Sequence, residues 1–214
     1  MATIVPAILE NSKEQFLDKM SRIVKLPGCQ RIQVDFGDGI FIPNEILPIT
    51  EIDTLNPAFH WEAHLMIKEP KEFLDYQICG FQTLLVHYEA FAGIAALKAA
   101  LAAIRTLGMK RGVVINPATK VGVLKGLAGL ADQFLIMGVN PGFQGHAFIE
   151  ATIGRVKELR RLLPNAIIEV DGGISTANIK SLVQAGADLL VAGSALVKAP
   201  DILGAYERLL MEIK

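Results

Sequence analysis

Two cysteines, Cys29 and Cys79, in a chain of 214 residues cannot make a disulfide framework or a metal knuckle, and their spacing matches no redox pair. Both are expected to be free thiols in a reducing compartment. Neither sign of charge is in excess: 21 Lys and Arg stand against 22 Asp and Glu, and no block of like charge occurs. The basic face of a nucleic-acid binder is therefore missing, and no DNA or RNA partner is expected. Long apolar runs are also lacking. The opening residues carry no positive lead-in and reach Glu10 quickly, so neither a signal peptide nor a membrane span is expected, and the cytoplasm is the expected location. No linker, disordered segment or repeat of fixed period interrupts the chain.

What is present is a sequence 51% hydrophobic and 20% charged, enough for a large core in one domain spanning residues 1–214. Short β-branched runs alternate with stretches of helical spacing. Strands are expected at residues 3–9, from Arg31, and at 59–67, 82–87, 111–115, 133–139, 166–171 and 188–192. Helices are expected from Asn11 or Ser12 to about 25, then over 70–79, 91–107, 120–128, 148–163, from Ser175 or Thr176 to 185, and over 200–213; Gly122 and Gly126 weaken the fourth. Eight such units close most simply as a (β/α)8 TIM barrel, with an open doubly wound sheet as the competing arrangement. In a barrel, function sits at the C-terminal ends of the strands.

Three kinds of residue stand there. Asp35, in V-D-F-G-D-G, and Asp171, in E-V-D-G-G, each end an apolar strand beside glycine. Such aspartates either cap turns or, as a pair across a barrel mouth, move a proton between the two faces of a carbon. His64 shares its strand face with Glu62 and Met66, and His87 ends the fourth strand. Each imidazole is a metal ligand or electrophile on one reading and a core histidine on the other. The turn from Asn140 through Gly142, Phe143, Gln144 and Gly145, the pair Gly172-Gly173, and Gly193-Ser194 suit phosphate, although glycines also serve simply as tight turns.

Taken together, these strand ends resemble the ribulose-phosphate 3-epimerase family over nearly the whole chain: P-A-I-L at Pro6, V-D-F-G-D-G-I-F-I-P-N at Val34, H-L-M at His64, H-Y-E-A at His87, N-P-A-T at Asn116, M-G-V-N-P-G-F at Met137, V-D-G-G-I at Val170 and A-G-S-A at Ala192. The resemblance implies a barrel of the ribulose-phosphate-binding type that interconverts D-ribulose 5-phosphate and D-xylulose 5-phosphate through an enediolate. Asp35 and Asp171 would be acid and base. Substrate would be bound by His64, Met66, Met137, Gly142, Gly145, Gly172, Gly173, Gly193 and Ser194. A divalent metal (Zn, Mn or Fe) would be held by Asp35, His64 and Asp171, with no organic cofactor, and a homo-oligomer is implied.

The chain departs from the family pattern at the mouth. Gln33 replaces a metal-ligand histidine, and an amide oxygen ligates zinc less well than imidazole. Ala7 replaces a serine, Gly37 a methionine and Ile40 a histidine, and Gln144-Gly145-His146 follows P-G-F in place of G-G-Q. Two readings follow: an epimerase with a weakened site, a different metal or protonated His64 as electrophile, acting on this or another ketose phosphate such as allulose 6-phosphate; or a phosphosugar-binding homologue that has lost catalysis.

Overall fold

In the computed structural model, which describes residues 2–142, 145 and 147–213, eight parallel strands close on themselves in sequence order. They are β1 (Thr3–Ile8), β2 (Arg31–Gly37), β3 (His60–Met66), β4 (Thr83–His87), β5 (Lys110–Ile115), β6 (Gln133–Met137), β7 (Ile167–Asp171) and β8 (Leu189–Ala192). β8 returns to pair with β1, Thr3 facing Leu189 and Pro6 facing Ala192. The doubly wound alternative is thereby excluded. The helices are α1 (Lys13–Ile23), α2 (Phe73–Cys79), α3 (Ile94–Thr106), α4 (Ala151–Leu162), α5 (Ile179–Ala185), α6 (Ser194–Val197) and α7 (Ile202–Glu212).

Alternation along each strand builds two interiors. Outward residues such as Ile32, Val34 and Phe36 join one continuous core against the helices, where Phe36 packs edge-on to Tyr76 and Phe81. Inward residues divide the barrel lumen. Leu85, Val114, Leu135 and Met137 form one apolar cluster and Val5, Ala7, Leu189 and Val191 another, while β2, β3, β4, β6 and β7 bring polar side chains to the middle. Gly112 makes room for Leu85, whose Cδ2 would lie 2.2 Å from a Cβ there.

Helix ends differ more from expectation than strand ends. Residues 120–128, expected as a helix, form a 3₁₀ segment, Val121–Leu127; Gly122 and Gly126 leave too little helix propensity to sustain α-turns over so short a stretch. α3 starts at Ile94 because a 3₁₀ turn, Tyr88–Ala90, and Gly93 come first. α5 starts at Ile179 rather than beside Ser175: Asn178 Oδ1 accepts from the Ser175 N–H at 2.9 Å and Nδ2 donates to the Gly173 carbonyl at 2.8 Å, so the side chain builds a turn instead. α7 begins after Asp201, whose carboxylate accepts from the Gly204 N–H at 2.9 Å. The short α6 was not anticipated.

Candidate active site

Side chains two apart on a strand share a face, so β2 turns Gln33 and then Asp35 into the barrel, β3 turns Glu62, His64 and Met66, and β7 turns Glu169 and Asp171. Register sets Gln33 beside Glu62 and Asp35 beside His64. The polar residues consequently lie in two stacked layers.

In the upper layer, His64 Nδ1 is 3.0 Å from Asp35 Oδ1 and 3.2 Å from Asp171 Oδ2. Gln33 reaches up from below, and its Nε2 donates to Asp35 Oδ1 and Asp171 Oδ2, each at 2.8 Å. Two carboxylate oxygens can be answered only by N–H groups, which fixes the amide's orientation. Its Oε1 is buried without a partner among the described residues. Burial pulls the His64 pKa down, but its contacts with Asp171 and Asp35 more than reverse this and lift it to about 9. The ring is therefore an imidazolium at neutral pH. Burial and the neighbouring Asp171 push Asp35 above the ordinary carboxyl range, against the pull of His64.

Behind His64 stands His87. Their Nε2 atoms are 2.8 Å apart and the rings stack with centroids 5.0 Å apart. Since His64 is protonated, its Nε2–H donates and His87 accepts; burial holds His87 neutral, with a pKa of about 4. His87 Nδ1 faces Glu89 Oε2 at 3.6 Å, and Glu89 Oε1 accepts the Asn116 N–H and the Thr119 hydroxyl.

The lower layer joins Glu62, Gln133 and Glu169. Gln133 Nε2 donates to Glu169 Oε2 at 2.8 Å and to Glu62 Oε2 at 3.3 Å, and Arg31 Nε lies 3.5 Å from Glu62 Oε2. Burial raises both glutamates, and Glu62 beside it carries Glu169 further up. Arg31 sets positive charge beside Glu62 and opposes that rise.

A pocket opens over the upper layer. Asp35, His64 and Asp171 meet Ala7, Met66 and Met137 there, with Gly142, Gly145, Gly172, Gly173, Gly193 and Ser194 around the rim. Of the other residues singled out from the sequence, Gln33 lies just beneath its floor and His87 behind His64, and Gly37, Ile40, Glu62 and Asn140 do not line it. Phe143, Gln144 and His146 lie outside the described residues. Leu9, Val139, Pro141, Ile174 and Ala195 also line the pocket; all five fall within the motifs quoted from the sequence, but their own side-chain types do not distinguish them from core. The lower layer was not foreseen either, although I-Q-V-D, W-E-A-H and I-E-V-D all place a polar residue two positions before the mouth residue.

One departure, Gly37, and one matching residue, Asn44, acquire a structural context. A Cβ at Gly37 would lie 2.6 Å from Ile42 Cδ1, so Ile42 occupies the space that a larger residue 37 would need, packing with Ile46 and Met66. Asn44 Nδ2 donates to the Gly142 carbonyl at 2.7 Å, tying the loop after β2 to the loop after β6.

Asp35, His64 and Asp171 each offer one ligand atom, all within 4.8 Å of one another, close enough to hold a metal ion. The fourth corner differs from the amide oxygen expected of Gln33, because it presents N–H groups.

A closed parallel barrel whose mouth gathers two carboxylates and an imidazole defines a (β/α)8 enzyme built for acid/base chemistry. Residues 3–197 match the ribulose-phosphate 3 epimerase family, and the chain belongs to that family. It is similar to the chloroplastic ribulose-5-phosphate-3-epimerase of Arabidopsis thaliana, 38% identical over 205 residues that span 92% of this chain and 72% of that protein. With the ribulose-phosphate 3-epimerase of Bacillus subtilis it shares 33% identity over 209 residues, 94% of each. The crystal structure of 3-keto-L-gulonate-6-phosphate decarboxylase from Vibrio cholerae matches with a TM-score of 0.74 over 99% of this chain and 97% of that one; at 14% identity this is a likeness of fold.

Proposed function

We propose that the protein is a ketose-phosphate 3-epimerase that interconverts D-ribulose 5-phosphate and D-xylulose 5-phosphate. The observation that carries this reading is the pair Asp35 and Asp171, held on either side of one mouth by shared hydrogen bonds to Gln33 and His64. One carboxylate takes the C3 proton from one face of the sugar, and the electron pair left behind delocalises into the adjacent carbonyl as an enediolate. The other carboxylate returns a proton to the opposite face. His64, as an imidazolium, places positive charge beside the developing anion. Asp35, His64 and Asp171 would also hold a divalent ion such as zinc, manganese or iron, which when bound supplies Lewis-acid stabilisation of negative charge. Met66 and Met137 bound the carbon skeleton, and Gly142, Gly145, Gly172, Gly173, Gly193 and Ser194 receive the phosphate.

The test is hydrogen exchange. In deuterated buffer, ribulose 5-phosphate should acquire deuterium at C3 while xylulose 5-phosphate appears, both followed by NMR. Asp35→Asn and Asp171→Asn should each slow turnover by roughly 10²–10⁴-fold without unfolding the chain. Absence of exchange with or without added zinc, manganese or iron would reject the reading in favour of a binding protein; exchange with allulose 6-phosphate alone would keep the chemistry and change the substrate.

A further inference from the structure

Gln33 is the one polar residue of the upper layer to which the acid/base chemistry gives no task, and its surroundings are specific. Two carboxylates converge on it, and like charges so close repel one another. Its Nε2 gives one hydrogen to Asp35 Oδ1 and one to Asp171 Oδ2, each at 2.8 Å, while His64 Nδ1 reaches the same two oxygens at 3.0 and 3.2 Å. The four atoms form a closed ring in which donors and acceptors alternate. Its edges resemble those around a small tetrahedral ion, about 3.3 Å for zinc with nitrogen and oxygen ligands. An ion placed there would need the carboxylate lone pairs that the amide now holds. On its far side the amide leaves Oε1 buried and, among the described residues, unpartnered, an arrangement that a residue kept only to fill space would not require.

We propose that Gln33 is a positioning residue that cross-braces Asp35 and Asp171, so that the mouth is assembled before any ion arrives and an ion binds only by displacing the brace. The proposal rests on reading those aspartates as the acid/base pair, but its test needs no turnover.

Full-length wild-type protein, analysed for metal as purified, should carry well under one divalent ion per chain. Its melting temperature should stay within about 1 °C on addition of EDTA. Gln33→Met keeps the length of the side chain, removes both donors and also removes the orphaned Oε1. If Gln33 merely filled space, that variant would melt at the same or a higher temperature. As a brace, its loss should lower the metal-free melting temperature by roughly 5 °C. Zinc should then restore it, with a Kd about tenfold or more tighter than for wild type. Gln33→His should gain zinc affinity by an order of magnitude as well, and it carries the test should Gln33→Met not fold. A wild-type protein that holds one ion per chain and loses 5 °C or more on chelation overturns the proposal. So does a Gln33→Met variant as stable as wild type without metal, or a Gln33→His variant with unchanged zinc affinity. Inactivity toward sugar phosphates would alter none of these readouts, so the two readings fail separately.

Discussion

His64 carries positive charge in a layer that also holds two carboxylates, and its protonation is therefore tied to folding. In the unfolded chain it titrates near 6.5, and in the fold at about 9. A raised pKa stabilises the protonated fold: the contribution is complete below pH 6.5 and is lost as pH climbs through 9. His87, and His60 beside Arg31 at the other end of the barrel, act in the opposite sense. Burial holds both neutral with pKa values of about 4, so acid below pH 6.5 favours the unfolded chain at those positions. Melting temperature should accordingly decline between pH 7 and 9.5, and His64→Asn should flatten that decline; an equal slope in both proteins would show that the imidazolium does not couple to folding. Strand alternation made Asp35, His64 and Asp171 readable as mouth residues. Gln33 was readable as a departure, but its role was not, because the direction of an amide is set by a carboxylate 138 residues away.

At the scale of elements, the turn after β7 is the tightest part of the mouth. Gly172 has φ +106°, and a Cβ there would lie 2.4 Å from Val139 Cγ2 and 3.0 Å from the Val139 nitrogen. Gly172→Ala should therefore cost about 1–3 kcal/mol of stability and weaken sugar-phosphate binding. Gly154, in α4, has open space around its Cα. Gly154→Ala should raise stability by up to about 1 kcal/mol through helix propensity and leave binding unchanged. Thermal unfolding and a sugar-phosphate titration of the two variants measure the contrast; equal effects would mean that the turn geometry is not what shapes the mouth. Elements were legible in proportion to how locally they are determined. The seven strands given an end in the sequence finish within two residues of it, and the second starts at Arg31 as expected, because alternation and β-branching state them directly. Helix starts moved by three residues or so where a cap, such as Asn178, folds back on its own loop.

For the whole molecule, the two stacked polar layers run through a lumen whose other inward residues are apolar on β5, β6, β8 and β1, while β4 adds Thr83 and His87 on either side of Leu85. The barrel was legible as a count of eight alternating units, whereas the lower layer of Glu62, Gln133 and Glu169 was not. A buried glutamate in a strand signals nothing until its partners on other strands are known. The same long-range dependence governs time as well as structure. β1 completes its pairing only with β8, and Gln33 meets Asp171 only across 138 residues of chain. Loop closure over that distance is slow relative to local helix formation. In refolding from denaturant, far-UV signal should therefore return before the capacity to bind a sugar phosphate, and a chain emerging from the ribosome stays ligand-blind until β7 has been made; simultaneous recovery of both signals would show that the ring closes with the first helices. On that expectation the mouth forms late in the life of each molecule, and a change that unlatches β1 from β8 should erase the site before it melts the helices.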